Sequence, residues 1–98
     1  MPSLTGKLLA SAVRHLVAGS AQMILAGQFE KGYIVEFDGA LRIRLGLRGE
    51  QITVALQPMR RRCAPNYFWA AQADLNKAFL AATKEVFQLT YDQQVPTS

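Results

Sequence analysis

Six of the seven arginines in this chain lie between Arg42 and Arg62, and Glu50 is the only carboxylate in that window, so the local formal charge is +5. The six are Arg42, Arg44, Arg48, Arg60, Arg61 and Arg62. A guanidinium is planar, always charged, and offers forked donors that fit a carboxylate or a phosphate. The chemistry this implies is the gripping of anions, on an acidic protein surface or along a nucleic-acid backbone. Outside the window four lysines and one arginine face six carboxylates, which is close to neutral. Just beyond the triplet stands Tyr67. Its ring is a candidate to stack on a base, or else a packing residue at a helix start.

Bond-making chemistry finds no comparable set. General acid–base work needs paired carboxylates, or a histidine with an orienting partner. Here Glu30, Glu36, Asp38, Glu50, Asp74, Glu85 and Asp92 are scattered over turns and helix surfaces, and His15 is the only histidine. There is no nucleophile-elbow motif, no phosphate loop and no dinucleotide fingerprint. Cys63 is the only cysteine, so it forms no disulfide within the chain, and it fits a reducing compartment. The arginines before it favour a thiolate, but a plain unreactive thiol is expected. The chain is therefore read as noncatalytic, with no cofactor and no metal.

The elements that must position the arginines are strands. Leu41 to Leu47 alternates strictly between apolar and polar residues, and the alternation resumes over Ile52 to Gln57. Tyr33 to Glu36 is a third, shorter β-rich run. Period-two alternation means one buried and one wet face. A two-residue Gly49-Glu50 turn pairs Leu47 with Ile52, Leu45 with Val54 and Ile43 with Leu56. A three-residue Phe37-Asp38-Gly39 loop pairs Val35 with Leu41 and Tyr33 with Ile43. Both turns put the apolar side chains on one face, and a one-residue slip would scatter them. The wet face then carries Ile34, Glu36, Arg42, Arg44, Gly46, Arg48, Gln51, Thr53, Ala55 and Gln57. It holds no aromatic, which argues against a stacking platform for single strands.

Helices flank this meander. A first helix is expected through Leu8, Leu9, Ala12, Val13, Leu16, Val17, Met23 and Ile24, capped by Ser3 or Thr5, weakened at Gly19-Ser20 and stopped at Gly27. Phe29 is expected to pack on its end. Arg60–Arg62 falls in a loop between Pro58 and Pro65. From Asn66 the chain reads as helix to about Leu89, with an apolar arc wider than one sheet face needs. Trp69, Leu80 and Phe87 lie along one edge of it, a candidate dimer or partner contact, or else surface sunk into the core.

The fold class expected is α+β: a two-layer α-β-β-β-α domain, a three-stranded antiparallel meander with both helices on one face. One domain is expected over residues 1–98, ordered from about 3 to 90, with 91–98 a flexible tail. No uncharged stretch is long enough to span a bilayer, and no signal peptide stands out, so a cytoplasmic protein without membrane contact is expected. The element order resembles that of the double-stranded-RNA-binding domain, in order only. The arginine triplet lies just upstream of the last helix, where that family has a basic helix start. Its Gly-Pro-x-His loop is absent, and Asn66-Tyr67-Phe68-Trp69 stands in place of the Lys-rich start.

Two functions follow from the residues. The first is a small noncatalytic protein-interaction module, accessory, chaperone-like or inhibitory, of the kind phages and plasmids carry, homodimeric and bound to an acidic partner surface. The alternative is a nucleic-acid-binding protein of weak sequence specificity that sets the same arginines on phosphates.

Overall fold

The computed structural model describes residues 3–88. Six elements follow one another: α1 (Leu4–Gly19), β1 (Met23–Phe29), β2 (Gly32–Phe37), β3 (Leu41–Arg48), β4 (Gln51–Pro58) and α2 (Pro65–Val86). The strands form one antiparallel sheet in the order β1-β2-β3-β4. One core joins Leu9, Val13 and Leu16 of α1, Ala71, Leu75 and Ala78 of α2, and Val35, Phe37, Leu41, Ile43 and Leu45 of the sheet. Those sheet residues alternate along β2 and β3, so both helices lie on the same face, and among the described residues no element covers the other.

α1 starts where the Ser3 side chain accepts the Gly6 N–H at 3.0 Å, an N-cap that satisfies one unpaired donor of the first turn. Its buried stripe is Leu9, Ala12, Val13 and Leu16. The helix ends at Gly19, and Ser20 is already extended. This overturns the expectation that it runs on through Met23 and Ile24 to a stop at Gly27. Met23–Phe29 is instead a strand, so the meander has four strands and not three. A short apolar run has no periodicity that separates strand from helix. What decides it is the ladder: β2 offers a row of backbone donors and acceptors, and β1 satisfies them through a two-residue turn at Glu30-Lys31.

β3 and β4 pair as read from the sequence, with Leu47 opposite Ile52, Leu45 opposite Val54 and Ile43 opposite Leu56. The β2–β3 pairing differs by two residues. Val35 faces Ile43, Tyr33 faces Leu45, and the closing pair is Phe37 with Leu41. The loop is Asp38-Gly39-Ala40, with Asp38 and Gly39 both at positive φ, and the Ala40 N–H donates to the Phe37 carbonyl at 2.9 Å. A two-residue shift preserves which face each side chain takes, so the alternation cannot detect it. Burial of Phe37 selects the pairing seen.

α2 begins at Pro65, whose missing N–H costs nothing in the first turn. Its buried stripe is Ala71, Leu75, Ala78 and Ala82, mostly small residues that admit close packing against α1. Phe68 and Phe79 are half-buried beside it. The expected helix end at Leu89, the limit of the ordered core at 90 and the tail over 91–98 all lie outside the described residues.

Candidate functional site

The period of β3 places Arg42, Arg44 and Arg48 on the open face, as their spacing requires. Arg42 stands opposite Glu36 and pairs with it at 3.5 Å. Arg44 stands between Ile34 and Ala55. Its guanidinium carbon lies 4.3 Å from the centroid of the Phe29 ring, a cation–π contact.

Phe29 was expected on the end of the first helix, and the open face was expected to lack an aromatic. A β-bulge overturns both. Met23 and Leu25 pair with Phe37 and Val35 on the helix side; the register then shifts between Leu25 and Gly27. Beyond the shift Gly27 and Phe29 pair with Ile34 and Gly32 on the open side. One extra residue, Ala26, thus turns the ring outward. The ring lies on a floor without side chains: Gly32 pairs with Gly46, and a Cβ built on Gly46 would lie 3.2 Å from Phe29 Cζ. An aromatic laid over cross-strand glycines is a known device for shielding exposed backbone. The glycines at 27, 32 and 46 together with the short MILAGQF run were the available signal.

The loop arginines are only partly brought to this face. The Met59 N–H donates to the Ala40 carbonyl at 2.8 Å, which carries the chain past the β2–β3 turn. There Arg60 Nη2 comes within 3.7 Å of where a Gly39 Cβ would stand. Arg60 therefore sits at the Arg42 end of β3. Arg48 closes the hairpin opposite Gln51 at the far end, about 20 Å along the strand. Arg61 and Arg62 are exposed in the bend before α2. Arg42, Arg44 and Arg48 line one strand and Arg60 lies over the turn at its end, so the six arginines do not form a single cluster.

Tyr67 is not on that line. Its ring packs edge-on against Phe37, with centroids 6.0 Å apart and planes at 72°, on the helix side of the sheet. Trp69, Leu80 and Phe87 are exposed, at 77%, 59% and 46%. Helical geometry puts Trp69 and Leu80 in one row, about 16 Å apart, with Gln72, Ala73 and Asn76 between them. They are separate apolar points and not one continuous patch.

A second polar group ties the helices together and was not visible in the sequence. Ser11, fully buried, donates its hydroxyl to a Glu85 carboxylate oxygen, and Arg14 Nη2 lies 3.3 Å from the same oxygen. His15 Nε2 is buried and has no hydrogen-bond partner among the described residues, 3.6 Å from the other oxygen. Ser11, Arg14 and His15 share one face of α1 by their three- and four-residue spacing. The Ser11 hydrogen bond, more than the nearby positive charges, holds the Glu85 carboxyl below its ordinary value of 4.5, against a smaller opposing effect of burial. A depressed carboxyl contributes stability that is present above its unfolded pKa and lost as pH falls through its folded pKa. Melting curves between about pH 5 and pH 3 should therefore fall more steeply for the wild type than for Glu85→Gln. Equal slopes would show that the carboxylate adds nothing.

Among the described residues no three His, Cys, Asp or Glu side chains gather as metal ligands, and no helix is long and apolar enough to cross a membrane. Set against known protein families, curated proteins and solved structures, the chain matches none of them.

Proposed function

We propose that this chain is a small noncatalytic interaction module, accessory, chaperone-like or inhibitory in kind, that grips an acidic protein surface with the open face of its sheet. One observation carries the reading. Neither helix covers that face, and on it Arg42, Arg44 and Arg48 run along β3 beside an apolar strip of Ile24 and Phe29 on β1 and Ile34 on β2. Ile24 is 56% exposed there. Arginines beside an aromatic and aliphatics are the composition of protein-interface centres. Arg44, already laid on Phe29, has less freedom to lose on binding than a loose side chain. Stacking of bases has less support, since Tyr67 packs toward the core and the Phe29 ring is covered by a guanidinium. A cytoplasmic setting belongs to the same proposal, supported by the single unpaired Cys63.

The test reverses charge at the centre of the face. Immobilised protein is exposed to nuclease-treated extract of its own host, beside an Arg42→Glu/Arg44→Glu variant. A retained protein partner whose capture drops at least about tenfold in the variant, and weakens with salt, is the expected result. The competing result is tested with purified protein on labelled single- and double-stranded DNA and RNA. Micromolar binding that is steeply salt-dependent and lost in the same variant would replace this reading with phosphate recognition.

A further inference from the structure

We propose that two copies of this chain join through the outer edges of β4, antiparallel, with Val54 on the two-fold axis. The sheet has two edge strands, β1 and β4. Edges are usually protected by charges, bulges, prolines or cover, because their unpaired N–H and C=O groups invite another strand. β1 has its bulge at Ala26. β4 has none of these over Gln51–Gln57: Gln51-Ile52-Thr53-Val54-Ala55-Leu56-Gln57 carries no charge and pairs with β3 without a shift, and the strand's one proline, Pro58, stands at its end. No other element among the described residues is paired to that edge.

The backbone is set up for it. The bond from the Met59 N–H to the Ala40 carbonyl continues the β3–β4 ladder and fixes its phase. Odd-numbered residues of β4 bond to β3, and Ile52, Val54 and Leu56 direct their backbone groups outward. Pro58 has the same parity, so the N–H it lacks would point away from β3. The outward residues are also those whose side chains lie on the helix side, where they are incompletely covered, Val54 being 42% exposed.

Self-pairing about Val54 is complementary throughout. Val54 meets Val54, Ile52 meets Leu56, Thr53 meets Ala55 and Gln51 meets Gln57. Apolar side chains stay on the helix side, small and polar ones stay on the open side, and no two like charges face each other. The contact is isologous and closes after two copies, so it does not propagate into a fibre. Both helix layers fall on one side and both arginine faces on the other. The two β3 strands then run antiparallel about 14 Å apart, which gives one wide basic face in place of two narrow ones. This edge is distinct from the Trp69, Leu80 and Phe87 row, and the dimer does not depend on what the arginines bind.

Light scattering behind gel filtration, from about 1 to 100 µM, tests the state directly, and a mass near twice 10.8 kDa is expected. Val54→Lys sets two ammonium groups opposite each other and should give a monomer with an unchanged circular-dichroism spectrum. Trp69→Ala should remain dimeric. Cross-linking in a Cys63→Ser background reads the pairing itself. Val54→Cys brings its Cα within about 5.5 Å of its own copy and should oxidise to a covalent dimer. Thr53→Cys lies about 8 Å from its own copy, beyond disulfide reach, and should not. A monomeric wild type, a dimer that survives Val54→Lys or dissociates on Trp69→Ala, or equal cross-linking at 53 and 54 would overturn the proposal.

Discussion

Gly32→Ala is expected to lower the melting temperature by roughly 15 °C, from a loss of about 3 kcal/mol in a domain of this size. A Cβ built on Gly32 would lie 2.1 Å from the Leu45 carbonyl oxygen and 2.7 Å from Gly46 Cα. Both are backbone atoms of the central strand, so no side chain can swing aside to admit a methyl group. β2 must move away from β3, and the Leu47 N–H bond to the Lys31 carbonyl, at 2.8 Å, is strained with it. The Phe29 ring loses its floor, and with it the support under Arg44. Gly19→Ala is the matched control. Nothing lies within 4 Å of the added carbon there, and the position ends a helix. That change should be neutral or stabilise by about 0.5 kcal/mol. Thermal melts of the two variants settle the matter: equal melting temperatures would mean that the sheet tolerates a side chain where backbone now stands.

Leu45→Ala should cost about 3 kcal/mol and move the urea midpoint down by about 2 M. Leu45 is fully buried at the centre of β3, between Tyr33 and Val54 on the helix side of the sheet. Truncation removes transfer energy and leaves a cavity, because the strands on either side are held by their ladders and cannot close in. A domain of this length has a total stability on the order of 5–15 kcal/mol, so the loss is a large share of it. Trp69→Ala removes a larger side chain and should change stability by less than about 0.5 kcal/mol, since its ring is 77% exposed. A loss at Trp69 comparable to that at Leu45 would show that the ring is covered in solution, and would move the dimer contact from β4 to α2.

The contrast between Leu45 and Trp69 was half legible in the chain. Strict alternation from Leu41 to Leu47 put Leu45 inside and the arginines outside, because a strand has no other way to bury one of two faces. The Gly49-Glu50 turn set the β3–β4 pairing, because a two-residue hairpin leaves little freedom of length. The exposure of Trp69 was not decided, because the apolar arc of α2 is wider than its buried stripe. Only the packing of α1 and the sheet against α2, which buries Ala71, Leu75, Ala78 and Ala82, shows which part of the arc is covered.

By itself, then, the sequence determined what depends on near neighbours: the α+β class, three of the strands, the face of the side chains from Tyr33 to Glu36, Leu41 to Arg48 and Gln51 to Gln57, and the outward line of Arg42, Arg44 and Arg48. Tertiary structure decided what depends on partners distant in the chain. Met23–Phe29 is a strand because β2 has an edge to fill, and its own residues carry no period that says so. Phe37 pairs with Leu41 because its ring is buried, where alternation alone allows a shift of two. Phe29 reaches the arginines because one bulged residue reverses its face, and Tyr67 leaves them because its ring finds Phe37. Each is a choice between arrangements that are locally equivalent, and packing across the molecule makes it.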